Sequence, residues 1–210
     1  MIRVVVADDH AIVRAGVRAL FDGESDVVIV AEADSGQSAV QAAIDHAPDV
    51  LLIDLSMPDG GGVEAIARLR AAGSRTRVLV LSMHGSLDYV RPAVKAGAHG
   101  YVVKGSGLDH LLRALRAVAS GERFFDETAA AALTHAAAED TAELALLTPR
   151  EREVMQLIAA GRSSRHIAER LGISLKTVDT HRTSLMKKLG LHNAQAVTRF
   201  ALRHGLITTD

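Results

Sequence analysis

Five residues able to do chemistry stand at the ends of short apolar runs: Asp8 and Asp9 after "IRVVVA", Asp54 at the end of "VLLID", Ser82 at the end of "VLVLS" and Lys104 at the end of "GYVVK". If these runs are neighbouring strands, all five groups reach one edge of a sheet. Three clustered carboxylates repel and raise one another's pKa values unless a cation sits among them. Mg²⁺ suits such a cluster, because it takes oxygen ligands octahedrally and commonly uses one or two carboxylates plus waters and phosphate oxygens. With an ammonium and a hydroxyl at the same edge, the set is a carboxylate nucleophile, a metal, a fixed cation and a hydroxyl donor, which is a site for phosphoryl transfer onto Asp54. A single Asp at a strand end is ordinarily a turn or helix cap; the joint placement carries the reading. The Ser82 hydroxyl alone adds little, and the "MPDGGG" that follows reads as a surface turn.

Positioning those groups takes five strands, at 2–7, 27–33, 50–54, 78–82 and 100–104. Between and after them lie stretches with apolar residues at three and four spacing, at 11–21, 37–46, 63–71, 87–96 and 108–120. Five β-α units with almost continuously apolar strands give a doubly wound α/β fold of flavodoxin type, a parallel sheet of expected order 2-1-3-4-5 with helices on both faces. Ligands of such sheets bind at the carboxyl ends of the strands. This domain is expected over 1–122. Residues 123–147 are Ala-rich and acidic, and read as a helical or frayed linker that buries little surface.

From Thr148 the pattern is all-helical. Thr148, Pro149 and Glu151 form a capping box with Pro at the first helical position, and that helix stops at Gly161. A second helix follows Ser163 and ends at Gly172. After the turn "GIS", Ser174 caps a third that runs to Leu189, and a fourth spans 194–204 and ends at Gly205. Two short helices joined by a Gly-containing turn are a helix-turn-helix. On the third helix Val178, His181, Leu185 and Leu189 share an inner face, which makes His181 a packed histidine. Lys176, Thr180, Thr183 and Lys187 share an outer, cationic one, as a recognition helix in a major groove requires.

Charge separates the two halves. The chain of 210 residues has a formal net charge of -1, distributed as -3 over residues 1–122, -4 over 123–147 and +6 over 148–210. A basic C-terminal unit suits a polyanion and an acidic N-terminal unit does not. With 48% apolar and 23% charged residues the chain can bury real cores. Zero cysteines exclude disulfides, thiolate nucleophiles and Cys-ligated metals, and point to a reducing cytoplasm. Two Tyr, four Phe and no Trp argue against stacking platforms for single-stranded nucleic acid. No apolar run reaches the length of a membrane span, and the opening segment meets two carboxylates too early for a signal peptide.

"VVVADDH", "DLSMPDGGG", "VLVLSMH" and "AGAHGYVVK" resemble the receiver domain of bacterial two-component response regulators, and "LTPREREVMQLIAAGRSSRHIAERLGISLKTVDTHRTSLMKKLGL" resembles the LuxR-type DNA-binding domain. Together they resemble the NarL/FixJ family of transcriptional response regulators. The resemblance implies that Asp54 accepts a phosphoryl group from a sensor histidine kinase. It also implies that Asp8, Asp9, Asp54 and the backbone carbonyl of Ser56 bind Mg²⁺, and that Lys104 meets the phosphoryl oxygens. Ser82 and Tyr101 match the switch pair, although an aromatic in a sheet is more often packing. Ser56 and His84 match positions that tune phosphoryl lifetime. Asp179, Thr180 and Thr183 match base-contacting positions; Lys176, Thr177, Arg182, Lys187 and Lys188 match phosphate contacts. One departure is His166, which stands where the family usually has Glu, so the cap at Ser163 lacks its reciprocal partner. The implied partners are double-stranded promoter DNA, a second copy of the chain when phosphorylated or DNA-bound, and RNA polymerase, in a bacterial cytoplasm and without a membrane. An aspartyl-nucleophile phosphohydrolase would want an acid two residues after Asp54, where Ser56 stands. A ligand-sensing helix-turn-helix regulator fits poorly with so few aromatics and so complete an acidic site.

Overall fold

The computed structural model describes residues 1–58, 61–204 and 206–207, and side chains throughout these except at 136, 137, 139 and 140. Asp59 and Gly60 of the expected turn, and Gly205 as the stop of the last helix, lie outside the described residues. The chain forms two compact units, Met1–His135 and Ala136–Asp210.

In the first unit β1 (Ile2–Ala7), α1 (Ala11–Phe21), β2 (Val27–Ala33), α2 (Gly36–His46), β3 (Val50–Ile53), α3 (Gly61–Ala71), β4 (Arg77–Ser82), α4 (Leu87–Ala96), β5 (Gly100–Val103) and α5 (Leu108–Ser120) alternate as the periodicity requires. All strand pairs are parallel, in the order β2-β1-β3-β4-β5-β6, where β6 is Phe124–Phe125. One face of the sheet buries Val5, Leu51, Ile53, Val80 and Tyr101 against Ile66, Leu69 and Val90; the other buries Val4, Leu52, Leu79 and Val102 against Phe21, Leu112 and Leu115. Both faces are therefore dry. That is why the strands are apolar at successive positions instead of alternate ones.

The sheet has one strand more than the sequence pattern gives. Phe124–Phe125 form β6, pairing with Gly100 and Tyr101 of β5. A helix α6 (Glu127–Ala145) starts immediately afterwards, with Ala129 fully buried and Leu133 packed against the sheet core. The segment 123–147 thus contributes a strand and the start of a helix to the first unit. A two-residue strand carries no readable period, and an Ala-rich helix shows its contact face only through which alanines are covered.

The second unit comprises the end of α6, then α7 (Pro149–Ala159), α8 (Ser164–Leu171), α9 (Leu175–Lys188) and α10 (Ala194–Arg203). Each N-terminus is closed by a side chain: Thr148 accepts from the Glu151 N–H, Ser163 from His166, Ser174 from Thr177 and Asn193 from Ala196. The cap at Ser163 stands without a reciprocal side chain. The core consists of Val154, Met155, Ile158, Ile167, Val178, Leu185, Val197 and Phe200, to which each of α7–α10 contributes.

Candidate functional site

Because β1, β3 and β5 lie side by side or one strand removed and run parallel, their carboxyl ends bring Asp8, Asp54 and Lys104 together. Asp8 and Asp54 are both 3% exposed. Two ionised carboxylates at that burial need compensation, and Lys104 supplies it: Nζ lies 2.7 Å from Asp8 Oδ2 and 2.8 Å from Asp54 Oδ2. Burial pulls the Lys104 ammonium downward, but the bonds to Asp54 and Asp8 outweigh it and its pKa is raised.

The remaining oxygens are held by backbone. The His10 N–H donates to Asp8 Oδ1 at 2.8 Å and the Ser56 N–H to Asp54 Oδ1 at 3.3 Å. Arg14 donates to the Asp8 carbonyl at 2.6 Å, which pins the β1–α1 turn. Asp9 differs, because its Oδ1 is buried yet accepts no hydrogen bond among the described residues. The His10 ring approaches it, with Nδ1 2.8 Å away, without hydrogen-bond alignment. Ligand atoms of Asp8, Asp9, His10 and Asp54 all lie within 4.8 Å of one another. A buried carboxylate oxygen without a donor, beside two further carboxylates, fits a hard divalent cation. The residues thus form an acidic, metal-competent pocket. His10 was not singled out from sequence, although it directly follows the acidic pair.

The strand end that carries Asp54 is also positioned from behind. A Cβ at Gly62 would lie 2.3 Å from the Asp54 carbonyl oxygen and 2.7 Å from the Leu55 Cα, and these are backbone atoms that a side chain cannot push aside. "MPDGGG" is therefore more than a surface turn: Gly62 lets the start of α3 close against the strand end that carries Asp54.

Ser82 ends β4 fully buried, and its Oγ accepts the His84 N–H at 3.3 Å. Tyr101 is fully buried in the sheet, with its hydroxyl donating to the His84 carbonyl. Burial raises the Tyr101 pKa, so the phenol stays protonated and able to donate. Both members of the expected switch pair thus hold the β4–α4 loop through His84, whose ring stacks on Tyr89 at 4.1 Å.

In the second unit the inner face of α9 is as the period requires, with Val178 and Leu185 fully buried and His181 partly so. Lys176, Asp179, Thr180, Thr183 and Lys187 are exposed, and with Ser184 they line one shallow open depression. Thr180 Oγ1 donates to the Lys176 carbonyl at 2.9 Å, and Thr177 Oγ1 lies 2.8 Å from the Ser174 hydroxyl. Arg182 reaches back to Ser164 Oγ at 2.9 Å, tying α9 to α8.

Lys188 is engaged within the domain. Its ammonium lies 2.6 Å from Glu151 Oε2, and Ser184 donates to Glu151 Oε1 at 2.6 Å. Glu151 is 4% exposed and its Oε2 also accepts the Thr148 N–H at 2.8 Å. Burial pushes the carboxyl up, but the bonds from Lys188, Ser184 and Thr148 overcome this and hold it at about 2. The capping box that starts α7 is thus also the clamp on the last turn of α9, and Lys188 belongs to that clamp.

Comparison with known proteins agrees with this division. Residues 4–116 match the response regulator receiver domain, and residues 145–201 match the bacterial regulatory proteins of the luxR family. The chain is similar to the transcriptional regulatory protein MctR of Rhizobium johnstonii, 36% identical over 99% of this chain and 96% of the relative. It is also similar to the oxygen regulatory protein NreC of Staphylococcus aureus, 36% identical over 98% and 99%. Among solved structures, the RcsB response regulator of Salmonella typhimurium shares 28% identity with a TM-score of 0.60, covering 96% of this chain and 98% of that one.

Proposed function

The chain belongs to the two-component response regulators as a transcription regulator with a receiver domain and a luxR-type DNA-binding domain, and from that premise we propose that phosphorylation of Asp54 controls its binding to promoter DNA. It is a regulator and not a classical enzyme. The carrying observation is the pocket of Asp8, Asp9 and Asp54, closed on two carboxylates by Lys104 and carrying a buried Asp9 oxygen that accepts no hydrogen bond among the described residues.

The phosphoryl donor is a phosphohistidine of a sensor kinase. An Asp54 carboxylate oxygen attacks phosphorus, the O–P bond forms as the N–P bond breaks, and the electron pair and a proton from solvent stay with the departing imidazole. Asp8, Asp9, Asp54 and the Ser56 carbonyl would hold Mg²⁺, which neutralises charge on the transferring group. Lys104 already touches Asp54 Oδ2, so it stays within reach of the phosphoryl oxygens and replaces a carboxylate partner with a phosphoryl one. Ser82 and Tyr101 act as the switch pair through the β4–α4 loop, and Ser56 and His84 tune the lifetime of the acyl phosphate.

On the DNA side, α9 lies in the major groove. Asp179, Thr180 and Thr183 face base edges, and Lys176, Thr177, Arg182 and Lys187 face phosphates. A structure of RcsB contains two dimers bound to DNA; a homodimer on paired half-sites is the matching arrangement here. RNA polymerase is the downstream partner. Among the described residues no helix is long and apolar enough to cross a membrane, in keeping with a regulator working in the bacterial cytoplasm.

The test is incubation of the intact chain with acetyl phosphate and Mg²⁺ followed by intact-mass measurement. The wild type gains the mass of one phosphoryl group, about 80 Da, and Asp54→Asn gains none. An equal adduct on both proteins would remove Asp54 as the acceptor.

A further inference from the structure

One buried carboxylate is not used by any step above. Asp126 is 5% exposed and lies between β6 and α6, where both its oxygens are engaged by backbone donors from different elements. Oδ2 accepts the Val103 N–H of β5 at 2.6 Å, and Oδ1 accepts the Ala129 N–H in the first turn of α6 at 2.8 Å. Its own N–H donates to the Tyr101 carbonyl at 3.0 Å. A single side chain therefore joins the strand that carries Tyr101, and that leads into Lys104, to the start of the helix that runs out of the receiver.

A second contact joins the same helix to the β4–α4 loop. Gly85 follows His84, whose backbone holds both Ser82 and Tyr101. A Cβ at Gly85 would lie 2.5 Å from Thr128 Cγ2 and 3.0 Å from Val103 Cγ2, so the loop backbone rests directly on α6. Ala129 beside Thr128 is fully buried. The first turn of α6 thus touches the loop at Gly85 and the strand at Val103, and these two elements contain the groups that respond to a phosphoryl group on Asp54.

We propose that Asp126 and the Gly85–Thr128 contact make the first turn of α6 the receiver's output element, so that displacement of the β4–α4 loop on phosphorylation is delivered to α6. The proposal rests on phosphorylation of Asp54. Asp126 is a positioning residue: it touches no phosphoryl donor and acts by holding β5 and α6 in one register. The second contact is a packing stop, in which the loop cannot move toward α6 without displacing Thr128. Packed contacts of this kind transmit movement because interiors are dense and deform little.

Two substitutions separate this role from plain stability. Asp126→Asn keeps the shape, but an amide has one acceptor oxygen facing two N–H donors, so either β5 or α6 loses its bond. Gly85→Ala places a methyl against Thr128, and Thr128→Ser in the same chain removes the Cγ2 that it meets. The full chain is treated with acetyl phosphate and Mg²⁺, intact mass reports phosphorylation, and hydrogen exchange reports amides 128–134. In the wild type these amides should change exchange rate at least threefold on phosphorylation. Asp126→Asn and Gly85→Ala should be phosphorylated to the wild-type extent yet show less than half that response, and Gly85→Ala/Thr128→Ser should recover it. A phosphorylated wild type whose α6 amides do not change would overturn the proposal alone, as would variants that respond normally. A wild type that gains no phosphoryl mass would overturn the reading beneath it.

Discussion

Replacing Glu151 by Gln should loosen the second unit at neutral pH and do so less and less as the pH falls. In the native structure the carboxylate accepts from Lys188, Ser184 and the Thr148 N–H, and its pKa falls from the ordinary 4.5 to about 2. A folded-state pKa below the unfolded one means that the ionised carboxylate stabilises the fold above about pH 4.5, and that this contribution is lost as the pH falls toward 2. The full difference corresponds to about 3 kcal/mol. Lys188 keeps 35% of its side chain exposed, so screening reduces this to about 2 kcal/mol. The amide of Gln keeps the shape and one acceptor but not the charge. Two kilocalories correspond to a change of about 30-fold in the opening equilibrium. Hydrogen exchange on the full chain should therefore show the slowest amides of α7 and α9 exchanging about 30-fold faster in Glu151→Gln than in the wild type at pH 7, with β1–β5 unchanged. When both proteins are compared at each pH, the ratio should shrink below pH 4.5 and vanish near pH 2. Equal exchange at pH 7, or a ratio that persists at pH 2, would refute the clamp.

Four further outcomes are expected. Lys104→Ala should leave divalent-cation binding measurable by calorimetry while abolishing the rise in operator affinity that acetyl phosphate produces in the wild type; normal activation would make Lys104 only a charge balance for Asp8 and Asp54. Lys187→Gln should make the negative slope of log affinity against log salt shallower by about 0.9, the release expected for one phosphate contact. Lys188→Gln should leave that slope unchanged while accelerating exchange in α9, because its ammonium is occupied by Glu151; equal slope changes would return Lys188 to the DNA-contacting set. Asp179→Ala, in a binding selection on randomised half-sites, should relax preference at one base position by roughly 1 to 3 kcal/mol, whereas a uniform rise in affinity on all sequences would show that Asp179 only repels phosphate.

What the sequence discloses and what it hides divide along a physical line. Asp8, Asp54 and Lys104 were legible because each follows an apolar run, and a parallel sheet necessarily aligns the ends of its strands. The helix starts at Thr148, Ser163 and Ser174 were legible because a cap is a local bond over three residues. Gly62 was not, because its need arises from the backbone of Asp54 and Leu55 lying against it, which no local pattern encodes. The tie between Lys188 and Glu151 is hidden for the converse reason. By helical position Lys188 resembles the phosphate-contacting residues, and only the fold puts Glu151, 37 residues away, within 2.6 Å of it.

The same distinction explains why composition alone ends the first domain at residue 122, whereas the first compact unit runs to His135. An Ala-rich acidic stretch has the composition of a solvated tether, and composition averages over positions. Docking depends on particular ones: Asp126 has two oxygens for two backbone donors, and Ala129 and Thr128 are small enough to lie against the sheet edge and Gly85. Three well-placed residues suffice to turn the beginning of a tether into part of a domain. The chemistry of the receiver and the start of its exit helix then share β5: Tyr101 and Val103 bond to Asp126 through their backbone, and the next residue, Lys104, reaches Asp8 and Asp54 through its side chain. A change in what Lys104 holds is therefore felt one residue from the bond that anchors α6.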